Sequence, residues 1–176
     1  MSKMDREKIC QEVEVLLTEF GIKKPPVPVD KIVRALGVKL RFSPLDDELS
    51  GMVYIKDDDT IIGVNAMHHP NRQRFTIAHE LGHIKLHKKF ITNEVHVDKQ
   101  FPMLMRDTKA AKGIDNIEIE ANSFAAELLM PEKFIKEELN NEGFDIDDDD
   151  FISNLSKKFK VSTHALQLRL GQILNK

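Results

Sequence analysis

Apolar residues recur at helical spacing over residues 4–20, where Ile9, Val13, Leu16, Leu17 and Phe20 share one side and Gly21 supplies a stop. Lys23-Lys24-Pro25-Pro26-Val27-Pro28 then reads as a stiff, extended connector. A short helix carrying Ile32, Val33 and Leu36 follows, with Asp30 suited to cap it and Gly37 to close it. Three short strands are predicted next, at Val38 to Phe42, Gly51 to Lys56 and Thr60 to Val64, the last two joined by a turn at Asp57-Asp58-Asp59. An acidic triplet of this kind is more often a solvated turn than a cation site.

Residues 75–87 are apolar on nearly every side, the mark of a buried helix. Residues 88–113 have no clear period, yet Phe101-Pro102-Met103-Leu104-Met105 is too apolar for a solvated linker. That run either packs as a loop over the core or forms a lid or rim beside a substrate site. A long helix is predicted from about Asp115 to Met130, its apolar face made by Ile117, Ala121, Phe124, Ala125, Leu128 and Leu129. Pro131 starts a further helix through Phe134, Ile135 and Leu139. Asp147 to Asp150 lead into a helix bearing Phe151, Ile152, Leu155 and Phe159, and Ser162 caps a last one bearing Leu166, Leu170 and Ile173. The pattern predicts an α+β protein with a small, mainly antiparallel three-stranded sheet. Residues 1–140 form its main domain and residues 141–176 a C-terminal helical hairpin packed on it.

Composition narrows the function classes. The chain has 176 residues, 41% hydrophobic and 31% charged, enough for one well-filled core. Its formal net charge of −3 provides no global field for nucleic acid. The lone cysteine, Cys10, has no internal disulfide partner and is read as a packing or surface residue. The first residues are too charged for a signal peptide, and no apolar run has the length of a membrane span, so a cytoplasmic protein is expected.

The candidate chemistry lies in the buried helix, as His79-Glu80-Leu81-Gly82-His83. Residues four apart stand over one another on a helix, so His79 and His83 can aim both imidazoles at one zinc ion. Glu80 points about 100° away and is placed to take a proton from water activated at that ion. Two imidazoles and a carboxylate on so apolar a helix are costly to bury unless something satisfies them. Gly82 suggests a close approach by another element. His68 and His69 are read as surface or entry residues. His87 lies about 12 Å along the axis from His79, too far to share the ion, and is read as a partner of the helix C-terminus.

A third ligand is expected from the second long helix. Advancing 100° per residue, Glu118 sits at the edge of the apolar face, beside Asn122 and Ala125, whereas Glu120 and Glu127 fall together on the opposite side, with Glu120 turned to water. Glu118 then completes a His₂Glu set with one position left open, and Asn122 can hydrogen-bond a ligating side chain. Tyr54, the only tyrosine, either packs its ring in a strand or offers its phenol to the site. Tyr54 and His164 are the side chains considered for stabilising an oxyanion.

Arg74-Phe75-Thr76-Ile77-Ala78-His79-Glu80-Leu81-Gly82-His83, with Leu86-His87 and then Glu118-x-x-Ala121-Asn122-x-Phe124-Ala125-x-x-Leu128-Leu129-Met130-Pro131, resembles the ImmA/IrrE family of metallopeptidases. Pro28-Val29-Asp30, Leu36-Gly37-Val38 and Ser50-Gly51-Met52 share the resemblance. It implies a zincin-like fold of gluzincin type and a regulatory role in a bacterium, phage or mobile element. Members are commonly paired with a helix-turn-helix repressor that they cleave or otherwise inactivate, and others are thought to act as stress regulators or toxins.

The expectation is therefore a zinc-dependent endopeptidase acting on a protein partner, with Zn²⁺ held by His79, His83 and Glu118 and Glu80 as general base. The rival expectation is a non-proteolytic regulatory or toxin-type partner with a zinc site. A DNA-binding stress regulator is the third, and the weakest. The last helix offers His164, Gln167 and Arg169, only one of them permanently charged, and acidic residues precede the hairpin.

Overall fold

The computed structural model describes residues 3–56, 59–88, 95–99, 108–141 and 148–174. Two helices, α1 (Lys3–Glu19) and α2 (Val29–Ala35), precede strands β1 (Lys39–Ser43), β2 (Leu49–Lys56) and β3 (Asp59–Asn65). Helix α3 (Pro70–Leu86) follows, then strand β4 (Val95–Lys99) and helices α4 (Thr108–Leu129), α5 (Glu132–Asn141), α6 (Asp149–Phe159) and α7 (Thr163–Leu174). The α+β class is as the hydrophobic pattern predicts. Asp57-Asp58, Phe101 to Met105 and Asp147 lie outside the described residues.

Two expectations about residues 88–113 change. The sheet has four strands, in the order β1-β3-β2-β4, because Val95–Lys99 adds to β2. The long helix begins at Thr108, seven residues before the predicted start at Asp115. Lys109-Ala110-Ala111-Lys112 is a run of strong helix formers with no large apolar residue, so a reading based on apolar period does not register it. Pairing is antiparallel for β2 with β3 and with β4, and parallel for β1 with β3. The register across the β2–β3 turn sets Lys56 opposite Asp59.

Alternation decides which sheet face is covered. Gly51, Val53 and Ile55 of β2, with Ile62 and Val64 of β3 and Leu40 of β1, are buried. Helix α3 packs chiefly on α4 and also touches β2 and β3, so it lies between the sheet and the second long helix. His69 caps its start, its Nδ1 accepting from the Asn71 amide at 3.2 Å, and Pro70 takes the first turn. Helix α2 differs in detail from expectation. Its N-cap is Pro28, no side chain caps it, and Asp30 sits inside the first turn. Gly37 does close it, with φ +80.

The last two helices are joined to the rest by apolar contact and by two arginines. Ile152, Leu155, Phe159, Leu166, Leu170 and Ile173 belong to the same continuous core as α1, α3 and α4. Asp148 caps α6 through the amides of Asp150 and Phe151, and Ser162 caps α7 through Ala165. Arg74 of α3 donates to the carbonyls of Val27 (2.9 Å) and Lys160 (3.3 Å), tying the connector, α3 and the α6–α7 turn together. Burial lowers the pKa of its guanidinium, and Asp30 opposes that shift.

Arg169 is not turned to solvent as a nucleic-acid contact. It is 4% exposed, pairs with the Glu127 carboxylate and donates to the Met130 carbonyl at 3.1 Å. Glu127 is likewise buried although it lies opposite the expected apolar face of α4, because α7 packs against that side. The second Glu127 oxygen accepts from the Glu132 amide at the start of α5 (3.1 Å).

Candidate metal centre

His79 and His83 are fixed by α3 itself, one turn apart and 2% and 0% exposed. What brings the carboxylate to them is Gly82. A Cβ at this position would stand 3.2 Å from both Ala121 Cα and Phe124 Cδ1, so α4 rests almost directly on the α3 backbone there. Ala121 and Ala125, both fully buried, keep the α4 side of the contact equally thin. Gly82→Val is expected to cost about 1–3 kcal/mol by overpacking and to weaken metal binding by moving Glu118 outward. Thermal melts with and without added zinc check both effects.

With the helices this close, three ligand atoms converge. His79 Nε2 and His83 Nε2 are 3.0 Å apart. Glu118 Oε2 lies 3.3 Å from the first and Oε1 3.4 Å from the second. Ligands held at the zinc distances of imidazole and carboxylate in a tetrahedron stand about 3.3 Å from one another. The donor set and its spacing therefore fit a zinc ion.

The tautomer fits as well. Asn122 Oδ1 lies 3.0 Å from His79 Nδ1, so a proton on Nδ1 donates to the amide oxygen and leaves Nε2 with its lone pair for a metal. Asn122→Ala is expected to weaken zinc affinity by roughly 10–100-fold without unfolding the chain, as read by competition with a chromogenic chelator.

Glu80 faces the sheet and is 0% exposed. A Cβ on Gly51 would collide with Thr76 Cγ2, stand 2.9 Å from Gly63 O and 3.4 Å from Glu80 Oε1. The β2 backbone is thus pressed against the Thr76 and Glu80 side chains. Neither Gly51 nor Thr76 was identified as shaping the site from its chemistry. The available signal was a glycine inside a strand, which marks a close approach.

Glu120 corrects a further expectation. Its side chain is 30% exposed against 31% for Glu118, so burial does not separate the two. Their partners do. Glu120 Oε2 lies 2.8 Å from Nε2 of His87, the buried C-cap of α3, so it is not simply turned to water. The helix wheel considered only the apolar stripe of α4 and omitted the imidazole arriving from the end of α3.

The two side chains considered for an oxyanion lie elsewhere. Tyr54 is on the opposite face of β2 from Gly51, lining a 510 Å³ cavity with Met52, Ile61 and Gly63, and is not gathered with Glu80. His164 lines a cavity of 1120 Å³ that reaches Phe75, whose ring centroid is 6.3 Å from that of His79.

Comparisons with known proteins agree with this arrangement. Residues 33–171 match the sequence profile of a peptidase family described as the IrrE N-terminal-like domain. The chain is 33% identical over 109 residues to the radiation response metalloprotease IrrE of Deinococcus radiodurans, covering 61% of this chain and 29% of that protein. It is 32% identical over 106 residues to the metallopeptidase ImmA of Bacillus subtilis, covering 57% and 50%. It is 31% identical over 104 residues to the uncharacterized immunity region protein 2 of Bacillus phage phi105, covering 59% and 58%. The alignments thus span between 29% and 58% of these relatives' length. A Mycobacterium tuberculosis transcriptional regulator shares the fold, with a TM-score of 0.65 at 18% identity over 94% of this chain and 46% of that one. The matched span, residues 33–171, includes His79, Glu80, His83 and Glu118, and the chain belongs to the ImmA/IrrE family of metallopeptidases.

Proposed function

We propose that this protein is a zinc-dependent endopeptidase that cleaves, and so inactivates, a helix-turn-helix repressor encoded beside it in a bacterial, phage or mobile-element regulatory pair. The observation that carries the reading is the convergence of His79 and His83 of α3 with Glu118 of α4, Glu80 following His79 on α3. A zinc ion bound by these three would supply Lewis acidity, acidifying water and polarising a peptide carbonyl. Glu80 takes the proton of the attacking water and passes it to the leaving amine nitrogen. Asn122 holds His79 in the ligating tautomer, and Gly51 keeps the strand close enough to exclude bulk water from the Glu80 side.

An extended substrate segment suits the sheet margin. Among the described residues β4 pairs only with β2, the strand whose backbone passes Glu80, so a peptide can add beside β4 by main-chain hydrogen bonds. The immunity-region relative in a phage and the metallopeptidase relatives support a regulatory protein substrate. No described helix is long and apolar enough to cross a membrane, which is compatible with meeting a repressor in the cytoplasm.

The test is incubation of the zinc-loaded chain with the repressor encoded by the neighbouring gene. Cleavage that stops on chelation and returns with zinc is the expected result. A stoichiometric complex without cleavage, indifferent to chelator, would replace the enzyme with a binding partner.

A further inference from the structure

Between the N-terminal half of α3, the end of α4 and the α6–α7 hairpin lies the 1120 Å³ cavity that reaches Phe75. It is larger than the usual small-ligand pocket of about 300–1,000 Å³, and its lining has two chemistries. The walls carry Arg72, Lys157 and Lys160 with the imidazoles of His69 and His164, and no Asp or Glu is among the described residues that line it. Half-buried Phe75 and Leu168, the latter 58% exposed, supply apolar surface above the buried Leu129, Met130 and Val161. The acids at the start of α6 stand at the opposite end of that helix from Lys157 and Lys160, where Asp148 binds the amides of Asp150 and Phe151. A net charge of −3 is thus distributed so that this concavity is locally cationic.

We propose that this cavity is a docking groove for an acidic amphipathic segment of a protein partner. Apolar side chains of the partner would settle on Phe75 and Leu168 while its carboxylates meet the exposed Lys157 and Lys160, with Arg72, which donates to the Ser50 hydroxyl at 3.0 Å, adding positive charge behind them. Complementary charge steers encounter and disfavours wrong partners, so this lining favours an acidic segment over a basic one. A nucleic-acid duplex fits worse. It presents a convex, evenly charged surface, which finds few cations here, and the floor is apolar. Phe75 precedes His79 by one turn, about 6 Å along α3, so a segment held here lies beside the metal ligands. As the place where a substrate is held, the groove rests on the peptidase reading; as a binding surface it is tested separately.

Fluorescence anisotropy on the full chain carrying Glu80→Gln reads the groove directly. The probes are two labelled peptides with the same leucine pattern, one with glutamate and one with lysine at the polar positions. Saturable binding of the glutamate peptide below roughly 1 mM is expected, at least about tenfold tighter than the lysine peptide. Lys157→Glu with Lys160→Glu, and separately Leu168→Asn, are each expected to weaken it about tenfold; all three positions are exposed. Equal affinity for the two peptides overturns the proposal. So does undiminished binding in both variants, or binding of a DNA duplex alone. If the unsubstituted chain binds the peptide but cleaves no repressor, the groove stands and the peptidase reading falls. Cleavage undiminished by both groove variants has the reverse meaning.

Discussion

Glu80→Gln is expected to lower repressor cleavage by roughly 10²–10⁴-fold while zinc binding stays near that of the parent chain. The exchange is nearly isosteric, which matters because the side chain is 0% exposed and sits against Thr76 and the Gly51 backbone. A larger or differently shaped side chain would disturb the strand as well as the chemistry. Glutamine keeps the volume and loses only the ability to accept and return a proton. His79, His83 and Glu118, the three groups gathered at the ligand site, are untouched. Single-turnover cleavage measured beside metal content separates the two effects. Near-native cleavage by the variant would sink the assignment of Glu80 as base; loss of zinc would show that it also supports the ligand set.

Arg169→Ala is expected to destabilise the chain by about 3–5 kcal/mol, with the melting temperature falling by roughly 6–20 °C. Its guanidinium holds the Glu127 carboxylate and the Met130 carbonyl in a buried setting, and truncation leaves both behind. Most of the cost comes from the stranded carboxylate. Glu127→Gln added to Arg169→Ala removes that charge and keeps an oxygen for the Glu132 amide. The double variant should therefore recover more than about 1 kcal/mol. Chemical denaturation of the two proteins decides, and a double variant no more stable than the single one refutes the stranded-charge explanation.

Short-range pattern made much of this molecule legible. The four-residue spacing of His79 and His83 places two imidazoles together whatever surrounds them, and Gly21, Gly37 and Pro131 punctuate the helices near where they end or begin. Glu118 was legible at one remove, because the apolar stripe of α4 orients its edge. The ion pairs were not. Glu127 and Arg169 are 42 residues apart, and His87 and Glu120 are 33 apart. Nothing along a helix wheel announces a partner delivered by another element. Strand β4 escaped for a related reason, since a five-residue edge strand is defined by the neighbour that it pairs with.

The two arginine anchors carry a consequence for synthesis on the ribosome. Arg74 of the histidine-bearing helix finds one acceptor at Lys160, and Glu127 of the helix that carries Glu118 finds its counterpart at Arg169. Both helices are therefore steadied by residues translated long after them. A nascent chain halted before Lys160 emerges lacks both braces, so the two helices that bear the candidate ligands gain their last supports only after α7 has left the exit tunnel.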